Sequence, residues 1–145
     1  MRGMYLVFAT IFFAGSAFAA EDSTVKYRKS VMKALGGHMG ATASIVKGEV
    51  GARHHLVAHA AAMSSIARMA GELFPKGSDK GDTRALPAIW EQPQDFAKTV
   101  QALEATTGGL VAAARSGDGN EIKNAFAALG KSCGGCHKKF RKKKK

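Results

Sequence analysis

The residues with the most chemistry in the chain stand together, as Cys133-Gly134-Gly135-Cys136-His137. Two thiols three positions apart, followed at once by an imidazole, have the spacing of a covalent c-type haem attachment site. Each thiol can form a thioether to one vinyl edge of a haem, and the adjacent histidine then lies under the ring as an axial iron ligand. Rival chemistries need more than the chain offers. A thioredoxin-like redox motif sits near a βαβ pattern, and none is visible. A structural zinc site usually takes four ligands, and there is no second cysteine pair. Cys133 and Cys136 are therefore expected to anchor one haem c, with His137 bound to its iron.

The elements that must position this motif can be read outward from it. A length of 145 residues bounds the chain at one domain. Residues 1–19 read as an export leader: Arg2, an apolar run from Met4 to Phe13, then Ala17-Phe18-Ala19 as the cleavage signal. That predicts a periplasmic protein, with a bundle domain over residues 20–141 and a basic tail at 142–145. The formal charge of +11 is concentrated at the end, where Lys138, Lys139, Arg141 and Lys142 to Lys145 leave only +4 for the rest. Nucleic acid is not expected as a partner. The tail reads either as a solvated helix end, where cations suit the helix dipole, or as a dock for an acidic partner or an anionic membrane surface.

Apolar residues recur at three- and four-residue steps in four stretches, and sustained strand-like alternation is absent. The spacing predicts helices over about 24–47, 53–73 and 93–115, and a fourth after Gly117-Asp118-Gly119, where Asp118 and Glu121 resemble a capping box. Asp22 or Ser23 is expected to cap the first, and Gly48 to end it. Four such helices make an all-α, antiparallel up-down-up-down four-helix bundle. Both cysteines fall on the core-facing stripe of the fourth helix, so the haem is expected inside the bundle. One connection is long, from Phe74 to Gln92, and topology places it at the pole of His137, with Ile89 and Trp90 able to wall the haem.

The same topology selects what faces the iron from the other side. The first helix begins at the haem pole, so Met32, two turns in and on the core stripe, is the favoured second axial ligand. Its bland role is core packing. Met39 lies about 10 Å further along the axis. His38 is similarly distant, and His54, His55 and His59 begin the second helix at the other pole, as surface or partly buried histidines. Arg28, one turn before Met32, and Arg141, four residues past His137, are candidate partners of the haem propionates, since a guanidinium suits a carboxylate. Gly36, Gly37 and Gly40 interrupt the first helix and permit close approach of another backbone, either the second helix or a second copy of the chain.

Assembled in this order, the residues resemble the class II cytochromes c, the cytochrome c′ family. The resemblance runs from Val25-Lys26-Tyr27-Arg28 through Val46-Lys47-Gly48-Glu49, Phe74-Pro75, Gly77-Ser78 and Ile89-Trp90 to the Cys133–His137 motif and Phe140-Arg141-Lys142. It implies a haem-binding four-helix bundle, a bacterial periplasmic location and frequent homodimers. By register from Tyr27-Arg28, Met32 occupies the position opposite the histidine. A methionine that ligates there implies a low-spin, single-electron carrier serving redox partner proteins. One that only lines the pocket implies a five-coordinate, high-spin haem that binds nitric oxide or carbon monoxide. The first of these is the expectation carried forward, with no enzymatic turnover.

Overall fold

The computed structural model describes residues 16–143, with side chains from residue 23. The expected leader up to residue 15, and Lys144 and Lys145 of the tail, lie outside the described residues. Four long helices form the frame: α1 (Ser16–Val46), α2 (Leu56–Arg68), α4 (Pro93–Ser116) and α5 (Gly119–Phe140). Between α2 and α4 lies the short α3 (Ala88–Glu91). Helix α1 packs on α2, α2 on α4 and α4 on α5, while the seam between α5 and α1 is the sparsest of the four. This is the expected antiparallel ring, opened along one side.

Helix ends follow local chemistry. Gly48 takes φ +76° after α1, and the Glu49 N–H donates to the Ser44 carbonyl while the Gly48 N–H donates to that of Ile45. That pair of bonds is a Schellman closure, which needs a left-handed residue at Gly48. Gly117, φ +75°, ends α4 with one bond to the Ala113 carbonyl. Asp118 then caps α5, its Oδ1 accepting from the Asn120 and Glu121 N–H groups. The expected capping box is half formed, because the Glu121 carboxylate accepts from the Ser116 hydroxyl. At the start of α1 the expected cap at Asp22 or Ser23 is replaced by continuous helix back to Ser16. The predicted second helix is shorter than its stripe, with single 3-10 turns over Arg53–His55 and Gly71–Leu73 at its two ends.

The core divides into three clusters. The central one holds Leu35, Ala60, Met63, Leu110 and Leu129, with Met32, Met39 and Cys133 packed against it. A second, at the pole where α5 ends, holds Ala85, Ile89, Phe96 and Phe140, with Phe74, Trp90 and Cys136 against it. The third, of Leu56, Ala113 and Ile122, closes the other pole. Gly36, Gly37 and Gly40 have nothing within 4 Å of where a Cβ would stand. Of the two neighbours these glycines could admit, α2 does not approach them, and they face outward.

Candidate functional site

The site forms where the open seam meets the second cluster. Cys133 and Cys136 stand one turn apart on α5, both half-buried free thiols. The first faces the central cluster and the second the polar-end cluster, so the pair spans the boundary between them. Desolvation raises both thiol pKa values; the Cys136 rise is opposed by Thr99 and Arg141. The sulfurs are therefore neutral, and among the described residues no group of three or more His, Cys, Asp or Glu side chains could hold a metal ion. Two neutral, half-buried thiols one turn apart can each take one thioether bond to the same ring.

His137 follows on the same turn. Burial lowers its pKa, and the charges of Arg141 and Arg84 lower it further. The ring is accordingly a neutral imidazole, the form with a lone pair to give to iron. The register across the seam can be taken from one contact. The Met39 methyl lies 3.8 Å from the Cβ position of Gly130. In an antiparallel pair, seven residues back along α1 and seven forward along α5 bring Met32 level with His137. Helices α1 and α5 thus present these two side chains at one height on the two sides of the sparsest seam. Haem fits this donor set: two neutral thiols, a neutral imidazole and an apolar wall facing it.

The long connection closes the same pole, as topology required. The Leu86 N–H donates to the Phe140 carbonyl, and the Lys142 N–H to the Arg84 carbonyl. Ala85 and Arg141 form an isolated antiparallel bridge, and the Arg84 guanidinium also donates to the Lys142 carbonyl. The indole N–H of Trp90 donates to the carbonyls of Phe74 and Pro75, at 3.0 and 3.1 Å. Phe74, Phe96 and Phe140 stack edge to face in a chain. Trp90 therefore belongs to the wall beside Cys136.

Arg28 is 4% exposed, and it is placed differently from expectation. Its Nη1 donates to the Leu73 carbonyl and to Ser78 Oγ, and its Nη2 to the Ser78 carbonyl and Thr83 Oγ1, at 2.7–3.2 Å. The guanidinium also lies 4.9 Å over the Phe74 ring. Four of its five N–H donors are thus engaged within the chain, leaving only Nε for a propionate. Ser78 and Thr83 are the acceptors that hold Arg28, a role no spacing in the sequence points to. Both stand in a loop with no periodicity, and only the buried arginine identifies them. Arg84 was missed as well, and it faces His137 beside Arg141, whose pKa burial and Arg84 both lower. Arg141 itself is exposed at its backbone end of α5.

Comparison with known proteins bears on what the pocket receives. The family model described as Cytochrome C' matches residues 23–141. A cytochrome c' of Pararhodospirillum photometricum is 36% identical over 85% of this chain and 99% of its own. A cytochrome c-556 of Agrobacterium fabrum is 39% identical over 90% and 88%. The solved ferrous cytochrome c prime variant of Alcaligenes xylosoxidans with bound nitric oxide superposes with a TM-score of 0.78, at 30% identity over 86% of this chain and 97% of that one. A carbon monoxide-bound variant of the same protein superposes equally, at 31% identity over 85% and 97%.

These relatives overturn the expectation of a low-spin electron carrier with Met32 as second axial ligand, because proteins so alike in fold take a diatomic gas. The physical reason is visible at Met32. It lies at the height of His137 and is a partly buried side chain packed against the central cluster, the core role a methionine also fills. Position along the helix was read correctly, and the role assigned to the thioether was not.

Proposed function

The chain belongs to the cytochrome c′ family and carries one covalently attached haem c, and from that premise we propose that it is a periplasmic, five-coordinate, high-spin haem protein that binds nitric oxide or carbon monoxide. The observation that carries this reading is the likeness, over 86% of the chain, to a relative with nitric oxide bound. A bound haem would supply the iron that takes up the gas.

The chain's own residues do the rest. Cys133 and Cys136, on one turn of α5, would hold the ring by two thioethers. His137, a neutral imidazole on the next position of α5, would hold the iron. Met32 and Leu35 wall the opposite side with apolar surface and offer a polar competitor no hydrogen bond. Arg28 is a positioning residue: through Ser78 and Thr83 it keeps the long loop seated, and the loop excludes water from the second cluster. Trp90 lines the edge next to Cys136. Arg141 and Arg84 supply positive charge on the His137 side, where the ring's carboxylates can meet it, with Nε of Arg28 as a further donor. Pairing of two copies along the outward glycines of α1 belongs to the same reading, as does docking of the Lys-rich end on an acidic partner or an anionic membrane surface. The chain turns over no substrate.

Visible spectroscopy of the reduced holo-protein tests the proposal. A broad high-spin spectrum that sharpens on adding carbon monoxide is expected. Sharp low-spin α and β bands that ignore the gas would overturn it. In Met32→Ala protein the iron should stay high-spin and take up carbon monoxide faster; a change of spin state on this substitution would show that the sulfur had been a ligand.

A further inference from the structure

Outside the haem site, two of the remaining histidines meet on the seam between α1 and α2. His38 of α1 and His59 of α2 face each other with their Nδ1 atoms 2.9 Å apart and their ring planes inclined by 58°. Both rings are half-buried. The gas-binding reading gives this pair no task. It does not bear on the haem, since it lies on a different seam from the one that separates Met32 and His137.

From this geometry we infer that His38 and His59 form a two-imidazole chelate for a divalent transition-metal ion of tetragonal preference, copper(II) above all. Two nitrogens at about 2.0 Å from an ion and 2.9 Å from each other subtend about 90° at it. That is the cis angle of a square-planar or tetragonal site, the geometry in which nitrogen ligands select copper(II) or nickel(II). Copper(II) also stands at the head of the affinity order for such donors.

The backbone already holds the two ligands in place. His38 and His59 come from two packed helices, so binding has little chain to order. In the metal-free pair one Nδ1 carries the hydrogen that the other accepts. Metal binding requires that ring to carry its hydrogen on Nε2 instead, which leaves both Nδ1 atoms facing the ion. The other positions on the ion fall to water. One helical turn beyond His38, Thr42 is fully buried and its hydroxyl has no hydrogen-bond partner among the described residues. It lies on the same side of α1, so a water held by the ion has an unspent hydroxyl on the inner side of the site.

The test is calorimetric titration of the holo-protein with copper(II), alongside His38→Gln, His59→Gln, the double variant, and a His54→Gln/His55→Gln control. One equivalent of copper should bind the wild-type and control proteins alike. Each single variant should bind at least about tenfold more weakly, because losing one of two linked ligands removes the chelate advantage. Electron paramagnetic resonance of the bound copper should show a tetragonal signal with coupling to two imidazole nitrogens. Copper should raise the unfolding temperature of the wild type and not of the double variant. No binding by the wild type, unchanged affinity in the double variant, or loss of binding in the His54/His55 control would each overturn the assignment. The haem spectrum should stay the same throughout. Because that spectrum is read separately, failure here and failure of the gas-binding reading are distinguishable.

Discussion

The two poles of the bundle are built by different means. At the pole of Gly48 and Gly117 the chain turns in short connections closed mainly by local bonds, from left-handed glycines and the Asp118 cap, with Arg53 adding one distant bond to the Gly117 carbonyl. At the other pole, a connection of nearly twenty residues is held by contacts distant in sequence. Arg28 reaches Ser78 and Thr83, and Leu86 reaches Phe140. A pole that only reverses the chain can be specified residue by residue. A pole that encloses a flat ring cannot, because no single turn motif surrounds it. The difference shows where the fold spends buried polar groups: on a wall that has to stand off from α5.

Removing the ring should break the comparison most. Protein with Cys133→Ala and Cys136→Ala should carry no covalent haem by mass spectrometry. Its amide exchange in the 74–92 loop should rise by about 100-fold or more, while the turns near Gly48 and Gly117 keep their protection. Equal loosening at both poles would show that the two are not independent.

Next in size is Arg28→Ala. Deleting a buried cation with four hydrogen bonds inside the chain should cost about 3 kcal/mol of stability by denaturant titration. The loss should appear first in exchange of the loop. Arg28→Lys should recover little of it, since a point charge cannot reproduce the fork geometry. At the local pole, Asp118→Ala should cost about 1 kcal/mol, the usual worth of a helix cap, with the haem spectrum unchanged.

The smallest effect concerns surface pairs at the haem pole. Lys29 holds the pKa of Asp82 below the usual carboxylate range, and Lys139 does the same for Asp95. A depressed folded-state pKa means that the stabilisation is complete above the unfolded value and is lost as pH falls through the folded one. These pairs should therefore matter above about pH 4 and fade on further acidification. Both aspartates are solvent-exposed, so Asp95→Asn should shift the acid-unfolding profile only slightly.

The same contrast explains what could be read from the sequence. The four helices, their caps at Gly48, Gly117 and Asp118, and the Cys133–His137 motif are signals within a few residues of each other, and periodicity reveals them. Topology then located the loop at the pole of His137 and brought Met32 level with it. Arg28 illustrates the limit. Its type and its turn on α1 were legible, but its partners lie about fifty residues away in an aperiodic loop. So a ligand for an outside carboxylate and a buried strut look identical in the sequence. Met32 shows a second limit: a thioether at the right height packs or ligates according to fractions of an ångström in the helix position, which no spacing encodes. The half-formed capping box at Asp118 is a third, since Ser116 competes for Glu121 from outside the pattern.

Arg28 and Met32 sit one turn apart on α1, and this joins two functions in one lever. In the proposed gas-binding reading Met32 is the surface a small ligand would push against, and Arg28 is the pin that fastens the helix to the loop. Neither α1 nor the loop can recoil alone. The compliance of the pocket is therefore set by the stiffness of four hydrogen bonds at Arg28, a turn away from the surface that feels the load.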